Sequence, residues 1–189
     1  VAMRLEVKQG QHGCTLINDS YNSDINSLDI ALDFISRRPD HKGRRRTLIL
    51  SDILQSGMTR DQLYAEVSEL CVKRGVEKFI GVGPDLMAEA DRIGVGEKYF
   101  FPDSQTFIKS PVFSTLRDEV ILIKGARAFG FDGISELLEQ KVHETILEVN
   151  LQAVVDNLNY YRSYMKPETK LVCMVKANAY GSGAVEVAK

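Results

Sequence analysis

Polar and apolar positions alternate along this chain in two rhythms, a period of two and a period near 3.6, and the rhythms take turns. Arg4–Lys8 alternates, Gly10-Gln11-His12-Gly13 supplies turn chemistry and Cys14–Ile17 returns, which predicts a β-hairpin. Asn26–Arg38 places Leu28, Leu32 and Ile35 on one helical face, and Pro39 stops it. Thr47–Leu50 is a short apolar strand running into Ser51-Asp52. Thr59 with Gln62 has the form of a capping box for a helix that carries Leu63, Val67 and Leu70 and closes at Gly75. A strand over Lys78–Val82, a helix over Pro84–Ile93 and a strand over Lys98–Phe101 come next. Helical pieces through Phe107 and Leu116, a β-branched strand over Val120–Lys124 and a helix over Asp132–Lys141 complete the series. Strands alternating with helices predict an α/β fold: a Rossmann-like, doubly wound, mostly parallel sheet entered through an antiparallel hairpin.

Beyond Lys141 the pattern changes. His143–Val149 alternates as a strand, and Leu151–Tyr164 is a helix with Val154, Val155, Leu158 and Tyr161 expected inward. Leu171–Val175 is a second strand running into Lys176-Ala177-Asn178-Ala179-Tyr180-Gly181. This looks like the start of another domain cut short, so the expected division is 1–142 and 143–189. A lone strand–helix–strand leaves apolar faces uncovered. Residues 144–189 are therefore expected to fold back on the first domain or to pair with another copy.

Composition narrows the classes. With 189 residues, 44% hydrophobic and 26% charged, the chain can bury one domain plus a fragment of a second. A net charge of −2 gives no field for nucleic acid, and the basic run Lys42–Arg46 is expected to be a solvated loop. No apolar run approaches the roughly 20 residues that span a bilayer, and the start has no signal-peptide pattern. Cys14, Cys71 and Cys173 each lie in an apolar segment, as buried free thiols do in a reducing compartment. The expected setting is cytoplasmic, without nucleic acid or membrane. His12, His41 and His143 attract no role.

Candidate chemistry sits where strands end, because open α/β sheets bind ligands at the carboxyl ends of their strands. The stretch Leu16–Asp24 offers Asp19, Tyr21 and Asn22, groups suited to a sugar, a ribose or a peptide; the plainer role is a helix cap by Asp24 or Asn26. Asp52 could accept from ribose or amine groups, or cap the loop after β-strand residues Thr47–Leu50. Lys124 and Arg127, around Gly125, could hold a phosphate, an oxyanion or a carboxylate, or be surface charges. No glycine-rich phosphate loop of the G-x-x-x-x-G-K-[ST] type occurs, and Gly81-Val82-Gly83-Pro84 lacks its third glycine and lysine. Lys176 at the end of an apolar strand could be a partly desolvated amine able to form a Schiff base, or a solvated lysine; Tyr180 could donate to a phosphate.

Taken together, NDSYNSD, SDILQSG and LIKGARAFGF resemble the third, C-terminal domain of a Mur ligase over about residues 1–142. The ligase most similar in these motifs adds D-alanyl-D-alanine to UDP-N-acetylmuramoyl-tripeptide. It usually has glycine at Ser51 and an acidic residue near Gln55. LEVNLQAVVDNL with MVKANAYGSG resembles the start of an alanine racemase of the pyridoxal-phosphate (β/α)8-barrel type, which commonly has histidine at Ser182. Side by side they resemble a segment of a bifunctional ligase–racemase fusion.

The resemblance implies ATP and magnesium held mainly by other ligase domains, with the tripeptide carboxylate phosphorylated and the dipeptide amine attacking the acyl phosphate. It implies Asp19 and Asn22 on the nucleotide-sugar side, Tyr21 near the reacting end, and Lys124 and Arg127 at the dipeptide carboxylate or acyl phosphate. For the racemase it implies Lys176 as the lysine that carries pyridoxal phosphate and acts as a base on alanine, Tyr180 beside the cofactor phosphate, and a homodimer through that part. The other reading is a non-catalytic doubly wound module that docks a nucleotide or partner.

Overall fold

The computed structural model describes residues 5–20, 23–38, 43–54, 56–140 and 148–188. The chain divides into two compact units, Val1–Gln140 and Lys141–Lys189.

In the first unit, β1 (Glu6–Gln9) and β2 (Thr15–Asp19) form the expected hairpin, with Val7 opposite Ile17. Helix α1 (Ile25–Arg37) buries Leu28, Ala31, Leu32 and Ile35. Its N-terminus is capped by Asp24, whose Oδ1 accepts the Ser27 amide at 2.9 Å. Then come β3 (Arg45–Ser51), α2 (Arg60–Lys73), β4 (Lys78–Val82), α3 (Pro84–Ala88) and β5 (Glu97–Phe101). Two short helices, α4 (Ser104–Ile108) and α5 (Pro111–Ser114), lead to β6 (Glu119–Lys124) and α6 (Phe131–Leu138).

The strands lie in the order β1-β2-β6-β3-β4-β5, and every pairing except β1 with β2 is parallel. Alternation sends Ile17, Leu48, Leu50, Phe79, Val120 and Leu122 to the face covered by α1, α2 and Leu86 of α3. Leu16, Ile49, Ile80, Val82, Ile121 and Ile123 meet Phe107, Leu116, Phe131, Ile134 and Leu138 on the other. This is the expected doubly wound sheet. Because β6 returns between β2 and β3, the helices that follow neighbouring strands leave on opposite faces. That opens a crevice at the carboxyl ends of β2, β6 and β3.

Three local expectations need correcting. The basic run is not a solvated loop. Arg45 and Arg46 belong to β3, Arg44 donates to Thr15 Oγ1 at 2.7 Å and to the Glu119 carbonyl at 3.2 Å, Arg45 pairs with Glu97, and Arg46 donates to the Arg74 carbonyl at 2.9 Å. Thr59 does sit at the N-cap of α2, but its hydroxyl lies against the Asp61 carboxylate and makes no cap bond. The helix expected over Pro84–Ile93 breaks at Glu89 into α3 and a 3-10 turn over Ala90–Arg92. At the amino ends of the strands lies a cluster that no local motif announces. Lys78 Nζ is 2.5 Å from Glu119 Oε1, the Thr47 hydroxyl donates to the same carboxylate, and all three residues are buried.

The second unit contains α7 (Leu151–Ser163), capped by Asn150, whose Oδ1 accepts the Ala153 amide at 3.1 Å, and a short helix over Ala184–Ala188. Most of the strand expected over His143–Val149 falls outside the described residues. Leu171–Val175 is not a strand, and among the described residues it has no ladder partner to hold it as one. Val154, Val155 and Tyr161 are exposed rather than inward, and Cys173 is exposed, whereas Cys14 and Cys71 are buried as expected.

The Asp24 cap is testable. Burial raises its carboxyl pKa, but bonds from the Ser27 hydroxyl and amide, with the Lys124 charge, outweigh that and leave it below its ordinary 3.8. A lowered folded value means the carboxylate stabilises above the unfolded value, and that contribution fades as pH falls through the folded one. Asp24→Ala should cost about 1 kcal/mol at neutral pH in urea unfolding, with the difference from wild type shrinking in acid.

Candidate functional site

Register brings the predicted strand ends together. Asp19 at the end of β2 is the cross-strand partner of Lys124 at the end of β6, and Lys124 is the partner of Leu50, just before Ser51 and Asp52. Lys124 Nζ lies 2.5 Å from Asp19 Oδ2, with the lysine side chain fully buried and the aspartate 7% exposed. Two charges this deep are tolerated in part because each offsets the other. The pair ties β2 to β6 at the crevice.

The loop after Lys124 is held almost as tightly. The buried Ser51 hydroxyl accepts the Ala126 amide at 2.8 Å and donates to the Asp52 carbonyl at 3.0 Å. Gly125 lies flat on the Phe131 ring, where a Cβ would collide. This turn lifts Arg127 out of the sheet into an exposed 3-10 turn over Arg127–Phe129, where its side chain bonds to no other described residue. The two cations that the sequence offers together thus divide: one is buried and paired, the other faces solvent.

Asp52 reaches the same edge but turns inward. Its Oδ2 accepts the Asp85 amide at 3.0 Å and its Oδ1 the Leu86 amide at 2.8 Å, so it caps α3. The Tyr64 hydroxyl donates to Oδ1 at 3.4 Å and accepts the Ile53 amide at 3.3 Å. Gly83, with φ 140°, leaves the space the carboxylate fills. Burial pushes the Asp52 carboxyl upward, partly offset by the Leu86 and Asp85 amides. Burial and the Asp52 charge also raise the Tyr64 phenol. Nothing near Asp52 in sequence announces this: its amide donors lie across the sheet, after β4.

Between the N-terminus of α1 and the loop after β3 is a recess of about 260 Å³, lined by Asp24, Asn26, Leu54, Ser56, Met58 and Glu66 among others. Sequence reading missed it as a unit because its walls come from distant segments. Asn18 Oδ1 and Ser23 Oγ, flanking the polar stretch after β2, are buried without hydrogen-bond partners among the described residues. Tyr21 and Asn22 lie outside the described residues. No group of three or more His, Cys, Asp or Glu among the described residues could hold a metal ion.

Lys176 and Tyr180 come close in sequence but build no cofactor site. Both are exposed, and Ala177, Asn178, Ala179 and Tyr180 have φ between 51° and 57°. With no strand beneath it and no enclosing wall among the described residues, Lys176 is exposed here and not the desolvated strand-end amine expected. As folded here, these residues do not fit pyridoxal phosphate.

A doubly wound sheet with polar groups gathered at its carboxyl edge defines the class as an α/β domain. Residues 3–127 match the Mur ligase, glutamate ligase domain, and the chain belongs to that family. Residues 149–189 match the N-terminal domain of alanine racemase. The UDP-N-acetylmuramoyl-tripeptide--D-alanyl-D-alanine ligase of Escherichia coli (strain K12) is 25% identical over 127 residues, covering 66% of this chain and 27% of its own length. An alanine racemase of Streptococcus suis (strain 98HAH33) is 42% identical over 53 residues, 28% of this chain and 14% of its own length. The chain therefore spans only a fraction of each relative. Among solved structures, MurF ligase of Thermotoga maritima in complex with ADP superimposes with TM-score 0.56 at 16% identity, over 72% of this chain and 30% of that one. MurF from Acinetobacter baumannii gives 0.59 at 16%, with the same coverage. These likenesses show the fold.

If the Asp19–Lys124 pair anchors the edge, Lys124→Met strands a buried carboxylate and should cost about 3–5 kcal/mol in denaturant unfolding. Arg127→Ala, at an exposed position, should stay within about 0.5 kcal/mol of wild type. Equal costs would contradict the assignment.

Proposed function

We propose that residues 1–142 are the third domain of a peptidoglycan-precursor ligase that joins D-alanyl-D-alanine to UDP-N-acetylmuramoyl-tripeptide. Residues 143–189 would be the opening fragment of a fused alanine racemase barrel. The observation that carries the ligase reading is the buried Asp19–Lys124 pair beside the Ser51–Ala126 bond, which fixes three strand ends into one edge with Arg127 projecting from it. Family membership supports the reaction class, and the 25% identity to the E. coli ligase supports this member of it.

In the proposed reaction ATP phosphorylates the tripeptide carboxylate, the dipeptide amine attacks the acyl carbon and phosphate leaves. ATP and magnesium are held mainly by the other ligase domains. This domain closes over them and presents the dipeptide. Arg127 offers a forked, always-charged guanidinium to the dipeptide carboxylate or the acyl phosphate. Lys124 sets the position of the loop that carries Arg127, through Asp19. Asp19 and Asn22 would serve the nucleotide-sugar side and Tyr21 the reacting end. Asp52 serves the site through the backbone it holds.

The match of residues 149–189 to the N-terminal domain of alanine racemase supports a racemase origin for the second unit, in which Lys176 would be the cofactor lysine. Pyridoxal phosphate in an intact racemase supplies the electron sink for removing the α-proton of alanine. We place the activity in the cytoplasm, with any homodimer formed through the racemase part. Among the described residues, no helix is long and apolar enough to cross a membrane.

Arg127→Ala in the full-length ligase should raise the KM for D-alanyl-D-alanine about tenfold or more, as expected for loss of a charge-assisted hydrogen bond; an unchanged KM would remove Arg127 from the site. The 189-residue chain should not racemise alanine, and titration with pyridoxal phosphate should give the same visible absorbance for wild type and Lys176→Ala. A saturable signal that depends on Lys176 would overturn the conclusion that this fragment lacks a cofactor pocket.

A further inference from the structure

The β3–α2 loop forms one wall of the recess at the strand ends, and its first residue hangs from a buried phenol. Tyr64 is fully buried on α2, in the helix turn that follows the loop. Its hydroxyl accepts the Ile53 amide at 3.3 Å and donates to Asp52 Oδ1 at 3.4 Å. Asp52 in turn is fixed from the far side by the Asp85 and Leu86 amides, and its own amide donates to the Val82 carbonyl at 3.1 Å. Two elements thus brace the loop base: α2 through Tyr64, and the β4–α3 junction through Asp52. Past that base nothing comparable holds the loop among the described residues. Leu54 and Met58 are 50% and 39% exposed, and Met58 donates its amide only to the nearby Ser56 hydroxyl at 3.2 Å.

We infer that Tyr64 is a positioning residue of the ligase site, setting through Ile53 and Asp52 the loop wall against which the incoming dipeptide is held. The inference rests on the proposed ligase function. The choice of substrate comes from charge. Among the described residues that line it, the recess beside the loop carries the Asp24 and Glu66 carboxylates and no lysine or arginine, which disfavours phosphates and suits a substrate with a free ammonium group. Of the two proposed reactants that meet in bond formation, D-alanyl-D-alanine brings the free amine.

Tyr64→Phe removes only the hydroxyl and leaves the ring in the core, so the fold should persist while the Ile53 amide loses its acceptor. A purely structural role is separated by a control on the same helix: Cys71→Ser, also fully buried and about two turns further on, disturbs the core away from the loop. In the full-length ligase, Tyr64→Phe should raise the KM for D-alanyl-D-alanine about fivefold or more with kcat within about twofold, and Cys71→Ser should leave that KM unchanged. In the 189-residue chain, hydrogen exchange at the Ile53 amide should quicken in Tyr64→Phe and not in Cys71→Ser. An unchanged dipeptide KM in Tyr64→Phe, or the same change in both variants, overturns the positioning role. Exchange that stays slow at Ile53 overturns the hydrogen-bond basis. A wild-type full-length protein that does not ligate the dipeptide would instead overturn the ligase reading, and the exchange result would still judge the loop contact alone.

Discussion

A lysine and an aspartate that share one buried position decide the geometry of this domain's binding edge. Lys124 and Asp19 end neighbouring parallel strands in register, and each offsets the cost of burying the other. Once they meet, β2 and β6 finish level. Ser51 then binds the turn after β6 to the end of β3 through the Ala126 amide. Arg127 is aimed outward as a consequence, because Gly125 is pressed on Phe131 and the chain must rise away from the sheet.

Around that edge, polar groups hold the backbone. Asp52 spends its carboxylate on the amides that open α3, and Tyr64 shares its hydroxyl between that carboxylate and the loop. At the opposite end of the strands, Lys78, Glu119 and Thr47 form a second buried polar cluster. The sheet is thus fixed at both ends by buried charge and in the middle by branched apolar side chains. The arrangement leaves Arg127, and the recess between α1 and the loop after β3, as exposed chemistry on a rigid frame.

Much of this was legible in the sequence, for identifiable reasons. The doubly wound sheet was implied by alternating periods, and the hairpin by Gly10-Gln11-His12-Gly13 between two short strands. Asp19, Lys124 and Arg127 were found at strand ends because strand ends are where a parallel sheet gathers polar residues. Pairing across strands is the part that sequence could not show. Nothing in KFIGV or EVILIK says that Lys78 and Glu119 share a bond; only the sheet order β6-β3-β4 does. The arginines after Gly43 looked solvated because their acceptors, Gly13, Glu119 and Arg74 carbonyls, lie far away in the chain. Lys176 is a different case. Its motif carries the racemase resemblance, but among the described residues Leu171–Val175 has no strand neighbour, and Lys176 is exposed here rather than held at a buried strand end.

The most direct test is a double-mutant cycle on Asp19 and Lys124, using Asp19→Asn, Lys124→Met and the combination, with unfolding free energy as the readout. A shared buried pair predicts that the double variant loses less than the sum of the singles, with a coupling at the upper end of about 0.5–3 kcal/mol. Costs that add to within about 0.3 kcal/mol would mean that the two charges do not depend on each other, and the account of the edge would fail.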